Sequence, residues 1–438
     1  MIRQRQAELI LFFALSSGLV DAEQAHPRPN ILVIISDDQG WADVGYHGSE
    51  ILTPNIDRLA KEGLVLDQHY VTPMCSSTRA CLLSGRYSTR FGLDGATNSQ
   101  VFPFGTITLA SALKGLGYDT GITGKWHLGS MPQAGPFKFG FNRSYGSFAG
   151  GVDQYTHLYK KGKFSNTWHR NDQYVEEEGH ATDLIAREAI RWIEAKGEAP
   201  FYIQVAFTAV HVPIQEPKEW VKPYAGKIEN ESRRRYAACA THMDDAIGQM
   251  LSALKRTGQW ENTMVLFTSD NGGSGGWRPT GKYPGKYEAS PVLGNNLPLR
   301  GRKGSVYEGG IRVPACISWP GVLKPGKVTE PIHIVDWMPT LLSLLSYKVE
   351  EDLGWDGMNV WPLLTGKQAE LEDREFYFKR GSSTALRYGD WKLVQSGRRQ
   401  ELFNLANDPN EKSNVAPEQK ELVALLSGRL NRQRARDK

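Results

Sequence analysis

The stretch Ile31-Leu32-Val33-Ile34-Ile35-Ser36-Asp37-Asp38 decides how this chain folds. Its first five residues are β-branched or leucine with no polar interruption, which is typical of a β-strand buried on both faces of a sheet. Two carboxylates follow directly, so the strand would deliver Asp37 and Asp38 to one edge of that sheet. The sequence therefore predicts a buried strand with acidic residues at its carboxyl end.

Apolar runs alternate with helical stretches along most of the chain, and turn residues separate them. This alternation predicts an α/β class, with a mixed, mostly parallel sheet between helices. The predicted strands are 31–35, 119–123, 201–208, 264–268 and 313–319, and the predicted helices are 54–62, with Thr53 as N-cap, 181–196, 233–257 and 338–345. Residues 273–298 are rich in Gly, Pro and Asn and are predicted to form a surface loop beside the site.

The pattern changes near residue 370. Short runs at 375–379, 383–388 and 391–395 predict antiparallel strands, and a helix is expected over 417–431. We therefore divide the chain into a large domain of residues 23–370 and a small C-terminal α+β domain of residues 371–438.

Composition excludes several classes of protein. The chain has 438 residues, of which 40% are apolar and 23% charged, so it is neither disordered, collagen-like nor a multi-span membrane protein. Its net charge of +4 equals that of residues 427–438 alone, which we expect to be a solvated tail. Nucleic-acid binding is therefore not expected. Four scattered cysteines without a CxxC pair argue against a disulfide scaffold and a thiolate metal site.

The N-terminus has the features of an export signal. Arg3 and Arg5 precede an apolar run over residues 9–20, and small residues follow near a cleavage site. The run is too short to span a bilayer, and no later segment is long enough. We predict a signal peptide over residues 1–22 and a secreted or periplasmic protein, with a buried N-terminal helix as the alternative.

Polar residues stand at the ends of four predicted strands. Ligands of an open α/β sheet bind at the carboxyl ends of its strands, so these residues should meet. Asp37, Asp38, Asp270 and Asn271 form an all-oxygen set that suits Ca²⁺ or Mg²⁺ and disfavours zinc. The alternative is that each carboxylate caps a turn or a helix.

Basic residues form the second half of this set. A metal with several fixed cations is suited to a tetrahedral oxyanion such as sulfate or phosphate. For any one of these residues, a surface salt bridge is the alternative. The candidates are Arg79, Lys125, His127, His211 and Lys303.

Cys75 stands just before a predicted short helix, where a thiolate nucleophile or an inert core cysteine are both open. The run from Cys75 through Arg79 to Gly85-Arg86 resembles the signature of the type I sulfatases. The resemblance extends in order along the chain and is closest to the arylsulfatase B (N-acetylgalactosamine-4-sulfatase) group. Its other motifs are Asp37-Asp38, the stretch 124–129, His211-Val212-Pro213, Asp270-Asn271-Gly272-Gly273, the stretches 299–304 and 308–310, Trp391-Lys392-Leu393 and the stretch 402–405.

The resemblance implies an alkaline-phosphatase-like fold and the hydrolysis of a sulfate monoester. It implies that Cys75 is oxidised to formylglycine, whose hydrated gem-diol attacks sulfur. One Ca²⁺ would bind this residue together with Asp37, Asp38, Asp270 and Asn271. Arg79 and Lys125 would stabilise the oxyanion, and His211 with Lys303 would face the leaving oxygen. His127 would accept the proton when sulfate is expelled.

The expected substrate is a sulfated sugar or the end of a sulfated polysaccharide, contacted by residues 151–157 and the loop 273–298. A phosphodiesterase or phosphonate hydrolase of the same superfamily and an unmodified glycan-binding relative remain alternatives. The chain departs from the family at Ser77, where the signature usually has Pro. This departure bears on whether an oxygen-dependent formylglycine-generating enzyme or a radical maturase modifies Cys75.

Overall fold

A computed structural model describes residues 28–195 and 197–438. The predicted signal peptide, residues 1–22, lies outside the described residues. In chain order the strands are β1 (Asn30–Ser36), β2 (Leu64–Leu66), β3 (His69–Tyr70), β4 (Asp119–Lys125), β5 (Arg143–Ser147), β6 (Trp168–Arg170), β7 (Gln173–Tyr174), β8 (Phe201–Ala206), β9 (Thr263–Ser269), β10 (Arg312–Val313), β11 (Ala315–Ser318), β12 (Gly326–Val328), β13 (Ile332–His333), β14 (Glu375–Arg380), β15 (Ser383–Tyr388), β16 (Trp391–Ser396) and β17 (Arg399–Asn404).

The α-helices lie between these strands and after them. In chain order they are α1 (Pro54–Glu62), α2 (Cys75–Ser84), α3 (Leu109–Gly115), α4 (Ala181–Glu194), α5 (Lys218–Val221), α6 (Glu231–Arg256), α7 (Glu308–Ile311), α8 (Trp337–Leu344), α9 (Trp361–Leu364) and α10 (Lys420–Arg434).

Strand β1 lies in the middle of the large sheet, whose order is β12-β2-β11-β9-β1-β8-β4-β5-β6-β7. The central strands β9, β1, β8, β4 and β5 are parallel, and Ile31 pairs with Tyr202 on one side and Met264 on the other. The flanking strands β11 and β6 run antiparallel to their inner neighbours. The predicted α/β class with a mixed, mostly parallel sheet is confirmed.

Both faces of β1 are covered, as its sequence predicts. Ile31, Val33 and Ile35 join a hydrophobic cluster that includes side chains of α2, α3 and α8. Leu32 and Ile34 join a second cluster, with side chains of α1, α4 and α6. Since alternate residues of a strand face opposite sides of a sheet, one uninterrupted apolar run supplies two separate cores.

The strand predicted over residues 313–319 is divided in two. Pro314 has no backbone N–H to donate and separates β10 from β11. The first piece pairs with β3 in a small three-stranded sheet, and the second pairs with β9 in the large sheet. One predicted strand therefore links two sheets.

Helix α1 has the predicted bounds, but Thr53 does not cap it through its side chain. The Thr53 hydroxyl instead donates to Asp57 at 2.9 Å and accepts from the Gly45 N–H. The helices predicted over 233–257 and 338–345 are α6 and α8, each shifted by one or two residues. The structure therefore supports the helix positions and confirms Thr53 as the N-cap residue of α1, whose carbonyl accepts from the Asp57 N–H at 2.8 Å.

The C-terminal strands β14 to β17 form an antiparallel sheet against which α10 packs. The sequence predicts three of these strands, and β17 is the additional one. The tail expected to be solvated begins within α10 and runs past its end; Arg429 pairs with Glu375 and Arg436 with Asp356, while the side chains of Arg432 and Arg436 stay 67% and 51% exposed. Those carboxylates lie on other elements and hold the basic residues against the protein. The domain boundary near residue 370 stays a prediction.

Two further features concern membrane-spanning helices and the state of the cysteines. None of the described helices is both long enough and apolar enough to cross a membrane. The four cysteines are buried free thiols.

A buried ion triad joins β16 to the large body. The Lys392 ammonium lies 2.8 Å from Glu308 and 2.8 Å from Glu411, and all three side chains are almost completely inaccessible to solvent. Tyr70 also donates to Glu308, at 2.7 Å. Helix α7, which begins at Glu308, is therefore held by the C-terminal sheet.

We expect Lys392→Met to lower the free energy of unfolding by about 3–5 kcal/mol, because two buried carboxylates would lose their shared cation. Guanidinium denaturation measures the change, with Lys412→Met at an exposed position as the control. A loss below about 1 kcal/mol, the range of a surface ion pair, would contradict the argument.

Candidate active site

The carboxyl ends of β1, β4, β8 and β9 meet at one edge of the large sheet, because these strands are parallel neighbours. Asp37 follows β1, Lys125 ends β4, His211 lies beyond β8 and Asp270 follows β9. The structure brings every predicted site residue to this edge. The full set is Asp37, Asp38, Cys75, Arg79, Lys125, His127, His211, Asp270, Asn271 and Lys303.

Three carboxylates and three cations pair one to one here. Arg79 Nη2 lies 2.7 Å from Asp270, with Nε 3.2 Å from the same oxygen. Lys125 Nζ lies 2.7 Å from Asp37, and Lys303 Nζ lies 2.6 Å from Asp38. Four of these six side chains are at most 1% exposed, so each charge depends on its partner.

The carboxylates are crowded as well as paired. Burial and the nearby Asp270 raise the pKa of Asp37 to about 8, against the opposing effect of Lys125. Burial acts in the same direction on Asp38, but Lys303 and His211 outweigh it and hold the pKa of Asp38 below its usual value. A further positive charge between the carboxylates would therefore be favourable.

The donor atoms suit a hard cation. Asp37 Oδ1 and Asn271 Oδ1 are buried and have no hydrogen-bond partner among the described residues. Oxygens of Asp37 and Asp270 and the Cys75 sulfur lie within 4.8 Å of one another, as do ligand atoms of Asp37, Asp38 and His211. The two unpartnered atoms are a carboxylate and an amide oxygen, which fit Ca²⁺ better than zinc.

Cys75 is the first residue of α2, a helix whose every residue is buried. Its sulfur lies 3.3 Å from His127 Nδ1, and burial raises the pKa of the thiol above its usual value. At neutral pH the unmodified side chain is therefore a thiol. This argues against the hypothesis of a free thiolate nucleophile at Cys75.

Both site histidines are uncharged. Burial and Lys125 hold the pKa of His127 well below its usual value, and burial with Lys303 lowers that of His211 to about 3. His211 Nδ1 lies 2.6 Å from the Val212 carbonyl, to which it donates, so Nε2 is the free nitrogen. That nitrogen is 3.8 Å from Asp38.

The backbone is strained at two of these positions. Asp38 has a φ of 65° and His127 a φ of 59°, both in the left-handed region. A non-glycine residue there costs about 1–3 kcal/mol, and such strain persists where the surroundings fix it. Both strained residues therefore belong to the candidate site.

Sequence reasoning missed the close approach of residues 150 and 151. A Cβ on Gly150 would lie 2.3 Å from His127 Nε2, so only glycine leaves room for this ring. A Cβ on Gly151 would lie 3.1 Å from the Tyr283 hydroxyl and 3.2 Å from His211 Nδ1. The adjacent glycines were the available signal, but nothing in the sequence indicated what they approach.

Comparison with known proteins gives matches over nearly the whole described chain. The family model "Sulfatase" matches residues 29–347, and "N-sulphoglucosamine sulphohydrolase, C-terminal" matches residues 302–436. The chain is 36% identical to arylsulfatase J from Mus musculus, over 86% of this chain and 64% of that protein. It therefore spans less than two thirds of that relative's length.

Two further similar proteins are matched over a larger share of their own length. The chain is 32% identical to N-acetylgalactosamine-6-sulfatase from Rattus norvegicus, over 89% of this chain and 75% of that protein. The crystal structure of Ps i-CgsB in complex with k-i-k-neocarrahexaose is similar with a TM-score of 0.85 and 31% identity, over 94% of both chains. The likeness thus includes the sheet edge and the C-terminal sheet.

Proposed function

The chain belongs to the sulfatase family of sulfuric ester hydrolases, and we propose that it removes sulfate from sulfated sugars at the edge where β1, β4 and β9 end. The observation that carries the proposal is the one-to-one pairing of three buried carboxylates with Arg79, Lys125 and Lys303 around Cys75. Such a site can hold a cation and an anion together. The narrower likeness to the arylsulfatase B group stays a prediction.

Two groups complete the proposed site. Asp37, Asp38, Asp270, Asn271 and the modified Cys75 would hold one Ca²⁺. The formylglycine made from Cys75 would supply a hydrated aldehyde as nucleophile, and the cation would polarise it and a sulfate oxygen.

The basic residues of this chain bind the sulfate group in the proposal. Arg79 is held by Asp270 and by the Lys125 carbonyl, which accepts from Nη1 at 2.7 Å, so its guanidinium is fixed before substrate arrives. Lys125 and Lys303, held beside Asp37 and Asp38, would supply two further ammonium groups to the sulfate oxygens. Losing one such contact costs about 10²–10³ in turnover.

Proton transfer is assigned to the two histidines. His127, neutral and 3.3 Å from the Cys75 sulfur, can accept a proton beside the nucleophile. His211 must be protonated to act as the general acid, and the negative charge of a bound sulfate raises its pKa in that direction. The Lys303 ammonium, whose pKa is raised by Asp38 against the effect of burial, is a second donor for the leaving oxygen.

A sulfated sugar is the proposed substrate for three reasons. The similar proteins include an N-acetylgalactosamine-6-sulfatase and a sulfatase-fold protein crystallised with a neocarrahexaose. The predicted signal peptide would export the enzyme to where polysaccharides occur. The third reason is that the loops expected to contact the sugar are held together beside the site. Asp153 accepts hydrogen bonds from Gln215 and from Tyr287.

We expect kcat/KM to be higher on N-acetylgalactosamine 6-sulfate or carrageenan oligosaccharides than on nitrophenyl sulfate. We expect it to be at least about 100-fold lower on bis(nitrophenyl) phosphate, because the site is assigned to sulfate monoesters. Lys125→Ala should lower the sulfate rates by about 10²–10³. Faster hydrolysis of the phosphodiester would instead favour the phosphodiesterase alternative.

Metal dependence follows from the unpartnered oxygens. Chelation should abolish turnover, and Ca²⁺ should restore it best. Asp37→Ala should lose about 10²–10³ in turnover and most of the Ca²⁺-induced rise in melting temperature. The exposed Glu198→Ala serves as the control. An Asp37→Ala enzyme within threefold of wild type would show that the metal assignment is wrong.

Maturation is tested at Ser77, whose hydroxyl donates to the Gly95 carbonyl at 3.3 Å. The first backbone bond of α2 runs from the Thr78 N–H to Met74, so the Ser77 N–H has no helical partner and Pro fits there. In a host with the oxygen-dependent formylglycine-generating enzyme, we expect Ser77→Pro to raise the formylglycine fraction and the activity together. The mass of the Cys75 peptide measures this fraction, with Ser77→Ala as the control. Equal formylglycine fractions in the wild type and in Ser77→Pro would contradict the expectation. A radical maturase would then be tested by co-expression.

A further inference from the structure

A basic cleft lies beside the candidate active site and has no part in the chemistry described above. Its volume is about 470 Å³, and two segments form its walls, one around residue 160 and the other around residue 282. The lining residues are Asn98, Tyr159, Lys160, Lys161, Lys163, Phe164, Gly281 and Lys282. Half of them are lysines and none is acidic.

The four lysines lack counter-charges. Lys161, Lys163 and Lys282 are exposed and Lys160 is half-buried, and over residues 28–195 and 197–438 none of their ammonium groups forms a salt bridge. Like charges that line one cleft add their potentials there and attract an anion. The cleft is therefore a place of positive potential that the protein itself does not neutralise.

Aromatic rings lie beside the ammonium groups of two of these lysines, Lys160 and Lys163. Lys160 Nζ lies 5.0 Å from the ring centre of Tyr159 and 5.8 Å from that of Tyr283. Lys163 Nζ lies 5.6 Å from the ring centre of Phe164. Such contacts order a lysine without neutralising its charge.

The two walls are fastened to each other. The Lys161 N–H donates to the Lys282 carbonyl at 2.6 Å and joins the two walls, while the Tyr159 N–H donates to the Ser165 carbonyl at 2.7 Å within the first wall. The rings of Tyr159 and Tyr283 meet edge to face, with centres 5.9 Å apart. The cleft is thus built before any ligand binds.

Tyr283 connects the cleft to the active site. Its ring faces Tyr159 and Lys160. Its hydroxyl lies 3.1 Å from the position that a Cβ on Gly151 would take, and His211 Nδ1 lies 3.2 Å from the same position. The side chain is 5% exposed, and its hydroxyl has no hydrogen-bond partner among the described residues. Burial holds the pKa of this phenol well above its usual value, so it stays a hydrogen-bond donor at neutral pH. Tyr283 therefore lies between the lysines of the cleft and His211 of the active site.

We propose that this cleft binds a second anionic group of the substrate, a sulfate on the sugar adjacent to the one whose ester is cleaved. The inference rests on the proposed function, because it takes the occupant to be part of the molecule that is hydrolysed at Cys75. Lys160, Lys163 and Lys282 bind the second sulfate, and Tyr283, whose hydroxyl is buried, lies between these lysines and the active site. The enzyme therefore prefers polysulfated oligosaccharides to singly sulfated sugars.

The test compares three proteins on a carrageenan hexasaccharide and on nitrophenyl sulfate. They are the wild type, the triple variant Lys160→Gln/Lys163→Gln/Lys282→Gln, and a control triple variant Lys61→Gln/Lys324→Gln/Lys412→Gln at remote exposed positions. We expect the ratio of kcat/KM for the hexasaccharide to that for nitrophenyl sulfate to fall about tenfold in the cleft variant, from three lost surface charge contacts. The control should keep this ratio within about twofold. The difference should disappear in about 1 M salt, where screening is nearly complete.

An unchanged ratio in the cleft variant would overturn the inference and leave the proposed function standing. Absence of sulfate ester hydrolysis by a wild type whose Cys75 is modified would instead overturn the proposed function. In that case, calorimetric binding of the hexasaccharide to Cys75→Ala, with and without the three cleft substitutions, tests the cleft directly. Equal affinity of these two proteins would show that the lysines do not bind the sulfated chain.

Discussion

Three carboxylates and three cations occupy one buried edge of the sheet, and none would be stable there as a single charge. Removing a charge from water costs several kcal/mol, and the cost is recovered only if a partner is placed accurately. Here each partner has a different place in the fold: Asp37 follows β1 and Lys125 ends β4, while Asp270 follows β9 and Arg79 lies in α2. The pairs therefore constrain how the central strands end and how α2 lies over them.

This dependence explains why much of the site was predictable from the sequence. A buried strand that ends in Asp37-Asp38 and another that ends in Asp270-Asn271 can only place these groups together if the strands are parallel neighbours. Periodicity also located α1, α4, α6 and α8 to within a few residues, since each has a strongly apolar face. The roles assigned to individual residues came from the family resemblance and stay predictions.

Other features depend on contacts that no local pattern records. The division of the strand at Pro314 depends on which sheet each piece joins, and β17 has little apolar alternation of its own. The basic residues of α10 were expected in solvent because their carboxylate partners lie in distant parts of the chain. The basic cleft was likewise not predictable from a local pattern, because the lysines near residue 160 lie close to Lys282 only through the folding of two loops.

The burial of Cys75 has a consequence for biosynthesis. The side chain is 2% exposed, and the groups around it include His127, Asp270 and Lys303, which are made long after it. A modifying enzyme can reach the thiol only while this later part of the chain is absent or unfolded. At about 5–20 residues per second, roughly 230 residues take on the order of ten to fifty seconds to synthesise. If Cys75 is modified as proposed, maturation and folding compete in time, and a chain that folds before modification keeps a buried, unmodified thiol.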